Sequence, residues 1–197
     1  AKFNGLTADA VADAVSDLSG QGATSLVADL REDPGGLADQ AVECASLFLD
    51  SGSTVMQVEY RNSTDVTKTN RDKVTDLPLV VLVNQDSASA SEIFAVAIQG
   101  NGRGTVVGSQ TYGKGIMQNT SKLSFGGAIK YTFATYLGPN GEQINGVGVT
   151  PDVVVADAPS DSDDTADGSG TDAASASSED PQLDVALAVA REQSDDA

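Results

Sequence analysis

The sequence predicts an α/β protein, a mostly parallel sheet covered by helices. Three observations predict it. Residues 77–83 form a short apolar run typical of a strand buried on both faces. Segments with apolar residues at helical spacing alternate with such runs. Hydrophobic residues make up 40% of the 197, enough to bury a sizeable core, although Trp is absent and aliphatic and alanine packing must fill it.

The elements follow in order. Leu6, Ala10, Val11, Val15 and Leu18 repeat at helical spacing, with Thr7 a candidate cap. Residues 24–30 read as a buried strand, Pro34-Gly35-Gly36 breaks the chain, and residues 37–49 resume helical spacing. Residues 53–60 alternate like a strand. After the central run at 77–83, with Pro78 tolerable near its start, residues 84–90 are a polar turn of small residues. A helix is expected from about residue 91 to 99, a short strand at 104–108, and a late strand over 126–137, where Ile129, Tyr131, Phe133 and Thr135 alternate.

Three parts are expected: a core over 1–155, a linker over 156–180, and a C-terminal helix within 181–197. The linker is Ser, Asp, Ala, Gly and Thr with almost no apolar bulk, too little to offset the entropy of ordering it. Its Asp163–Gly168 stretch is not a calcium loop, because the twelfth position from Asp163 is Ala174 rather than Glu. Helical periodicity returns through Leu183, Ala186, Leu187 and Ala190. The opening residues Ala1-Lys2-Phe3-Asn4 read as the end of an interrupted strand, so a fragment of a longer protein is expected. No run of about 18 apolar residues could span a membrane, and no secretory signal is visible.

Charge and missing residue types exclude several functions. The net charge is −18. From Ala156 onward there are 12 acidic residues against Arg191 alone, a net of −11, and residues 1–155 carry a net of −7. So acidic a chain repels phosphate backbones, and no nucleic-acid partner is expected. The single Cys44 excludes an intrachain disulfide and reads as a buried structural thiol. Histidine is absent, which removes the Ser-His-Asp triad, the Cys-His pair and the usual zinc sites. A general base near neutral pH must then be a perturbed Lys, Asp, Glu or Tyr, or an α-amine.

Four segments carry chemistry. They are Asp29-Leu30-Arg31-Glu32-Asp33-Pro34-Gly35-Gly36, Ser87-Ala88-Ser89-Ala90-Ser91-Glu92-Ile93, Thr111-Tyr112-Gly113-Lys114-Gly115 with Gln118, and Gly146-Val147-Gly148-Val149-Thr150-Pro151-Asp152. Read alone, Ser89 and Glu92 have the spacing of a helix capping box, and Ser87, Ser89 and Ser91 are interchangeable turn residues. Lys114 and Gln118 are ordinary surface residues on that reading, and Pro34-Gly35-Gly36 a loop. In this order and spacing, however, the four segments closely resemble the C-terminal processing peptidases, or tail-specific proteases, over nearly all of residues 1–155.

The resemblance implies the α/β spiral core of the ClpP/crotonase type and a serine endopeptidase that cleaves proteins near their C-termini. It makes Ser89 the nucleophile, Lys114 its base and Gln118 the residue that holds the lysine. It places an oxyanion hole at the N–H of Gly35, with Gly36 a close rival, paired with the N–H of Ala90. The physics agrees: a serine between strand and helix is exposed, and the free N–H groups of the helix start suit an oxyanion. A lysine accepts the serine proton only when neutral, which burial away from carboxylates would favour. Arg31, Asp29 and Glu92 are expected to be structural.

No metal or organic cofactor is needed. The family implies substrates ending in small or apolar residues and an exported, periplasmic or cell-envelope location. It also implies a PDZ domain in the full-length protein, for which this chain has no room. Two rival readings accompany the resemblance, a catalytically silent peptide-binding or scaffold module and a crotonase-like acyl-CoA enzyme. The second needs basic residues around the CoA phosphates, which this acidic core lacks.

Overall fold

The structure is a computed structural model and describes residues 2–157 and 180–195. Most of the expected linker, including Asp163–Gly168, lies outside the described residues. A parallel sheet of order β1-β4-β5-β8 forms from β1 (Leu26–Asp29), β4 (Leu79–Val83), β5 (Thr105–Gly108) and β8 (Val153–Val154). All five residues of β4 are buried, as the unbroken apolar run requires. Their side chains alternate between two cores. Leu79, Val81 and Val83 face α1 (Thr7–Gly20), α2 (Ala38–Ser46) and α3 (Ala90–Gly100). Val80 and Leu82 face α4 (Pro181–Asp195), which lays Ala186 and Ala190 on that side. Helices therefore cover both faces of the parallel sheet, as the alternating pattern predicts.

A second sheet lies outside that expectation. It has the order β3-β2-β7-β6 and is antiparallel throughout, with β2 (Thr54–Tyr60), β3 (Thr64–Lys68), β6 (Ile116–Lys122) and β7 (Ala128–Leu137). The edge strands β3 and β6 are polar and largely exposed, so no apolar alternation marks them. Residues 128–133 of β7 are exposed on both faces, so this end of the β6–β7 hairpin stands away from the body. Each fully buried Val or Leu of β4 contributes roughly 1.5–3 kcal/mol; β6 has almost no comparable burial and depends on its ladder with β7.

Smaller differences have local causes. Thr7 is not a side-chain cap of α1: its Oγ1 accepts the Asn4 N–H, and Asn4 Oδ1 accepts the Leu6 N–H. Ala8, Val11 and Val15 turn inward, whereas Leu6 and Leu18 are exposed. The chain also stays on the core slightly longer than expected. Val155 N–H donates to Gly108, Ser109 donates to the Asp157 carboxylate, and Asp180 already belongs to α4 as its cap through the Leu183 N–H.

Candidate functional site

The site forms where the parallel strands end. β4 runs into a turn that returns as α3, and Ser89 stands at its corner with φ 59° and ψ −114°. A non-glycine residue there carries backbone strain, of the order of 1–3 kcal/mol. Such strain at a strand-to-helix turn is the geometry that lifts a serine out of a sheet.

The three turn serines, equivalent in the sequence, differ here. Ser87 is buried; its hydroxyl donates to Leu30 O (2.8 Å) and accepts the Asn84 N–H (3.0 Å). Ser91 is also buried and donates to Asp33 O at 3.0 Å. Both are structural fastenings, while Ser89 is half-exposed.

Asp33 is a residue whose importance the sequence reading missed. It is 1% exposed and ties the glycine turn to the serine turn. Its carboxylate accepts the Gly35 N–H (2.8 Å), and its carbonyl accepts the Ala88 N–H (2.9 Å) and the Ser91 hydroxyl. An Asp two residues before a glycine is an ordinary turn signal, and that was the only available clue. The Gly35 N–H is therefore occupied, whereas those of Gly36 and Ala90 have no acceptor among the described residues. Of the two glycines, Gly36 has the spare donor. Gly36 is held by a parallel bridge to Phe3, so the opening residues do complete a short extended pairing.

Lys114 lies on the loop between β5 and β6, which passes from one sheet to the other. Its side chain is exposed, so the expected burial away from carboxylates is not found. Its backbone N–H donates to Glu92 at 2.8 Å, on the same Oε2 that accepts the Ser89 N–H at 2.8 Å. The structure thus brings the Ser89 and Lys114 backbones to one carboxylate. Gln118, on β6, is exposed and donates to Thr132 Oγ1 at 3.3 Å. It makes no hydrogen bond to Lys114 among the described residues.

Arg31 anchors the far side of the site. It forms ion pairs with Asp29 (2.7 Å) and Asp180 (2.8 Å), which raise its already high pKa, Asp29 first and Asp180 second. A hollow of about 540 Å³ beside it is lined by Asp29, Glu32, Asp86, Asp157 and Asp180 among others. With its one arginine already neutralised, this hollow is unsuited to the phosphates of CoA.

An α/β sheet that delivers a strained serine onto a helix start, beside a glycine turn with one spare N–H group, has the framework of a serine hydrolase. Residues 1–155 match the family described as Peptidase family S41, and the chain belongs to that family. It is 40% identical over 157 residues to a "Probable CtpA-like serine protease" of Staphylococcus aureus strain COL, covering 78% of this chain and 32% of that one. A relative of the same description from Staphylococcus haemolyticus is 40% identical over 158 residues, covering 79% and 32%. The chain therefore spans about a third of the length of these relatives. Among solved structures, it superposes on a photosystem II D1 C-terminal processing protease with a TM-score of 0.75 and 37% identity, covering 79% of this chain and 41% of that one. Mature CPAF shares the fold at a TM-score of 0.62, with 15% identity, 75% coverage of this chain and 42% of that one. Among the described residues, no helix is long and apolar enough to cross a membrane.

Proposed function

We propose that this chain is the catalytic core of a serine endopeptidase with a Ser89–Lys114 dyad, acting near the C-termini of proteins. The observation that carries the reading is the shared Glu92 oxygen. Two backbone nitrogens each 2.8 Å from Oε2 hold the Ser89 and Lys114 backbones against one carboxylate, which supports pairing the two residues. The strained, half-exposed Ser89 supports it, and so does the occupation of the Ser87 and Ser91 hydroxyls.

Ser89 Oγ attacks the scissile carbonyl as its proton passes to the neutral Lys114 amine. The oxyanion receives N–H groups from Ala90, at the start of α3, and from the Gly35-Gly36 turn. On collapse of the intermediate, the Lys114 ammonium protonates the leaving amine. Water then hydrolyses the acyl-enzyme with Lys114 again accepting a proton. Substrate or a further part of the protein closing over the exposed lysine would favour its neutral form. Gln118 steadies the lysine only once its amide leaves Thr132, which it now bonds. Substrates with small or apolar C-termini, capture by a PDZ domain and action outside the cytoplasm belong to the same reading, which rests there on the family resemblance alone.

Casein hydrolysis across pH, comparing the wild type with Ser89→Ala and Lys114→Ala, tests the proposal. Loss in both variants and a wild-type rate that climbs with pH are expected. Activity that survives Ser89→Ala would overturn it.

A further inference from the structure

Five large apolar side chains lie exposed within residues 123–133, at and just below the tip of the β6–β7 hairpin. Phe125, in the turn, is 85% exposed, and Leu123, Ile129, Tyr131 and Phe133 accompany it. Ile129, Tyr131 and Phe133 alternate along β7 and share one face, opposite the face on which Ala134 and Tyr136 reach the core. Phe133 stacks on Tyr60 with ring centroids 6.3 Å apart and meets Tyr131 edge-on at 6.5 Å, so the stripe is a formed surface. Single exposed apolar residues are ordinary, but a contiguous set on a projecting hairpin marks an interaction surface.

Charge selects what it meets. The chain carries a net −18, yet no carboxylate occurs between residues 93 and 141. Lys122 and Lys130 are exposed near the tip and make no ion pair among the described residues. Lys122 pairs with Ala128 and Lys130 with Thr120, which puts both cations on one face behind Phe125. Apolar side chains ahead and cations behind suit an anionic lipid surface. There the apolar groups enter the boundary between headgroups and acyl chains, and the lysines stay with the phosphates.

Other occupants fit less well. Two hairpins packed together would oppose like charges with no carboxylate to offset them. The acidic segment 158–179 has no apolar side chain larger than Pro159 with which to cover Phe125. Nor does the acidic body prevent contact with anionic lipid. Residues 128–133, exposed throughout, extend about 20 Å at roughly 3.4 Å each, more than twice the Debye length of about 8 Å at physiological ionic strength.

We propose that the β6–β7 hairpin docks this protein on an anionic lipid surface, with Phe125 inserted and Lys122 and Lys130 against the headgroups. β6 follows directly from the Lys114 loop, so docking fixes which side of the peptidase faces the lipid. The contact is independent of the Ser89–Lys114 reading, because its test reads binding and not hydrolysis.

The chain has no tryptophan, so Phe125→Trp supplies a single fluorescent reporter that keeps the aromatic tip. Val66→Trp, on the exposed edge strand β3, is the control. Both are titrated at physiological ionic strength with vesicles of phosphatidylcholine and phosphatidylglycerol in equal parts, and with phosphatidylcholine alone. Cosedimentation of the wild type gives the reference affinity. The Phe125→Trp emission should shift to the blue and be quenched by brominated lipid on the mixed vesicles only, while Val66→Trp does not respond. Lys122→Gln and Lys130→Gln should each weaken binding about fivefold, the effect of ~1 kcal/mol per basic residue at an anionic surface. Phe125→Ser should weaken it by about 10–100-fold, since the burial of a phenylalanine is lost.

No shift on the mixed vesicles, or equal binding to phosphatidylcholine alone, would overturn the proposal. So would a shifted emission without lipid. Present at high dilution, it would assign the tip to segment 158–179; present only on concentration, to a second copy of the chain. A response to polyglutamate as strong as that to vesicles would replace lipid with an acidic protein partner.

Discussion

Gly35 and Ser89 are in direct contact: a Cβ on Gly35 would lie 3.0 Å from Ser89 Cβ, 2.4 Å from Ala88 O and 2.6 Å from Ala90 N. Gly35 also has φ +85°, a conformation that side chains disfavour. The glycine turn and the nucleophile turn are thus packed backbone against backbone.

Gly35→Ala should therefore reduce peptide hydrolysis by about 10–100-fold, since the clash displaces the serine turn. Gly52→Ala is the matched control, with φ +86° and nothing within 4 Å. It should lower the melting temperature and leave the specific activity intact. Equal loss of activity in both variants would mean that backbone strain, not contact with Ser89, makes Gly35 important.

Backbone strain at Ser89 predicts a trade of stability against activity. Ser89→Gly and Ser89→Ala should both lose labelling by a fluorophosphonate, but the glycine variant should be the more stable by about 1 kcal/mol, because glycine adopts positive φ freely. Ser87→Ala should behave in the opposite way. It leaves the Asn84 N–H without an acceptor and the Leu30 carbonyl with the Asp33 N–H alone, at about 1–3 kcal/mol, while labelling persists in the folded fraction. Denaturant titration of the three variants decides the point.

Asp180 predicts an acid-sensitive α4. Arg31 chiefly, and then the Leu183 N–H, hold its carboxyl below the ordinary range. A carboxylate depressed on folding contributes stability that is present above its unfolded pKa and lost as pH falls through the folded one. The contribution should thus be intact at neutral pH and fade below about pH 4. Hydrogen exchange along residues 181–195 should accelerate there in the wild type, and less so in Asp180→Asn. An identical pH response in the variant would assign the effect to other carboxylates.

Cys44 is 1% exposed, and burial chiefly pushes its thiol up to about 12, with Glu43 adding to the shift. The native protein should resist Ellman's reagent at pH 8 and react fully in denaturant. Rapid native reaction would show that the helix pair around Cys44 opens readily.

How much of this was legible followed from what each residue faces. β4 was visible because both of its faces are buried, which leaves an unbroken apolar run. The helices were visible through their periodicity, although Leu6 and Leu18, which share it, are exposed. β3 and β6 were not legible, because each pairs along one edge only and needs no apolar face. Four motifs in order led to the family, but within the site the alphabet carried less. The φ of Ser89 and the aim of the three serine hydroxyls are not encoded in neighbouring letters. Glu92 looked like a cap because its near partner is three residues away, whereas the others lie 19 to 22 residues along the chain.

The placement of α4 also governs the order in which the molecule can be completed during synthesis. Every strand of the parallel sheet has been made by Val154, yet the side of it formed by Val80, Leu82 and Val107 is closed by Ala186 and Ala190. At roughly 5–20 residues per second, the ribosome needs seconds to add that last stretch. A nascent chain therefore passes through an interval in which its serine turn can exist on a sheet with one apolar side still open to chaperones or neighbouring chains.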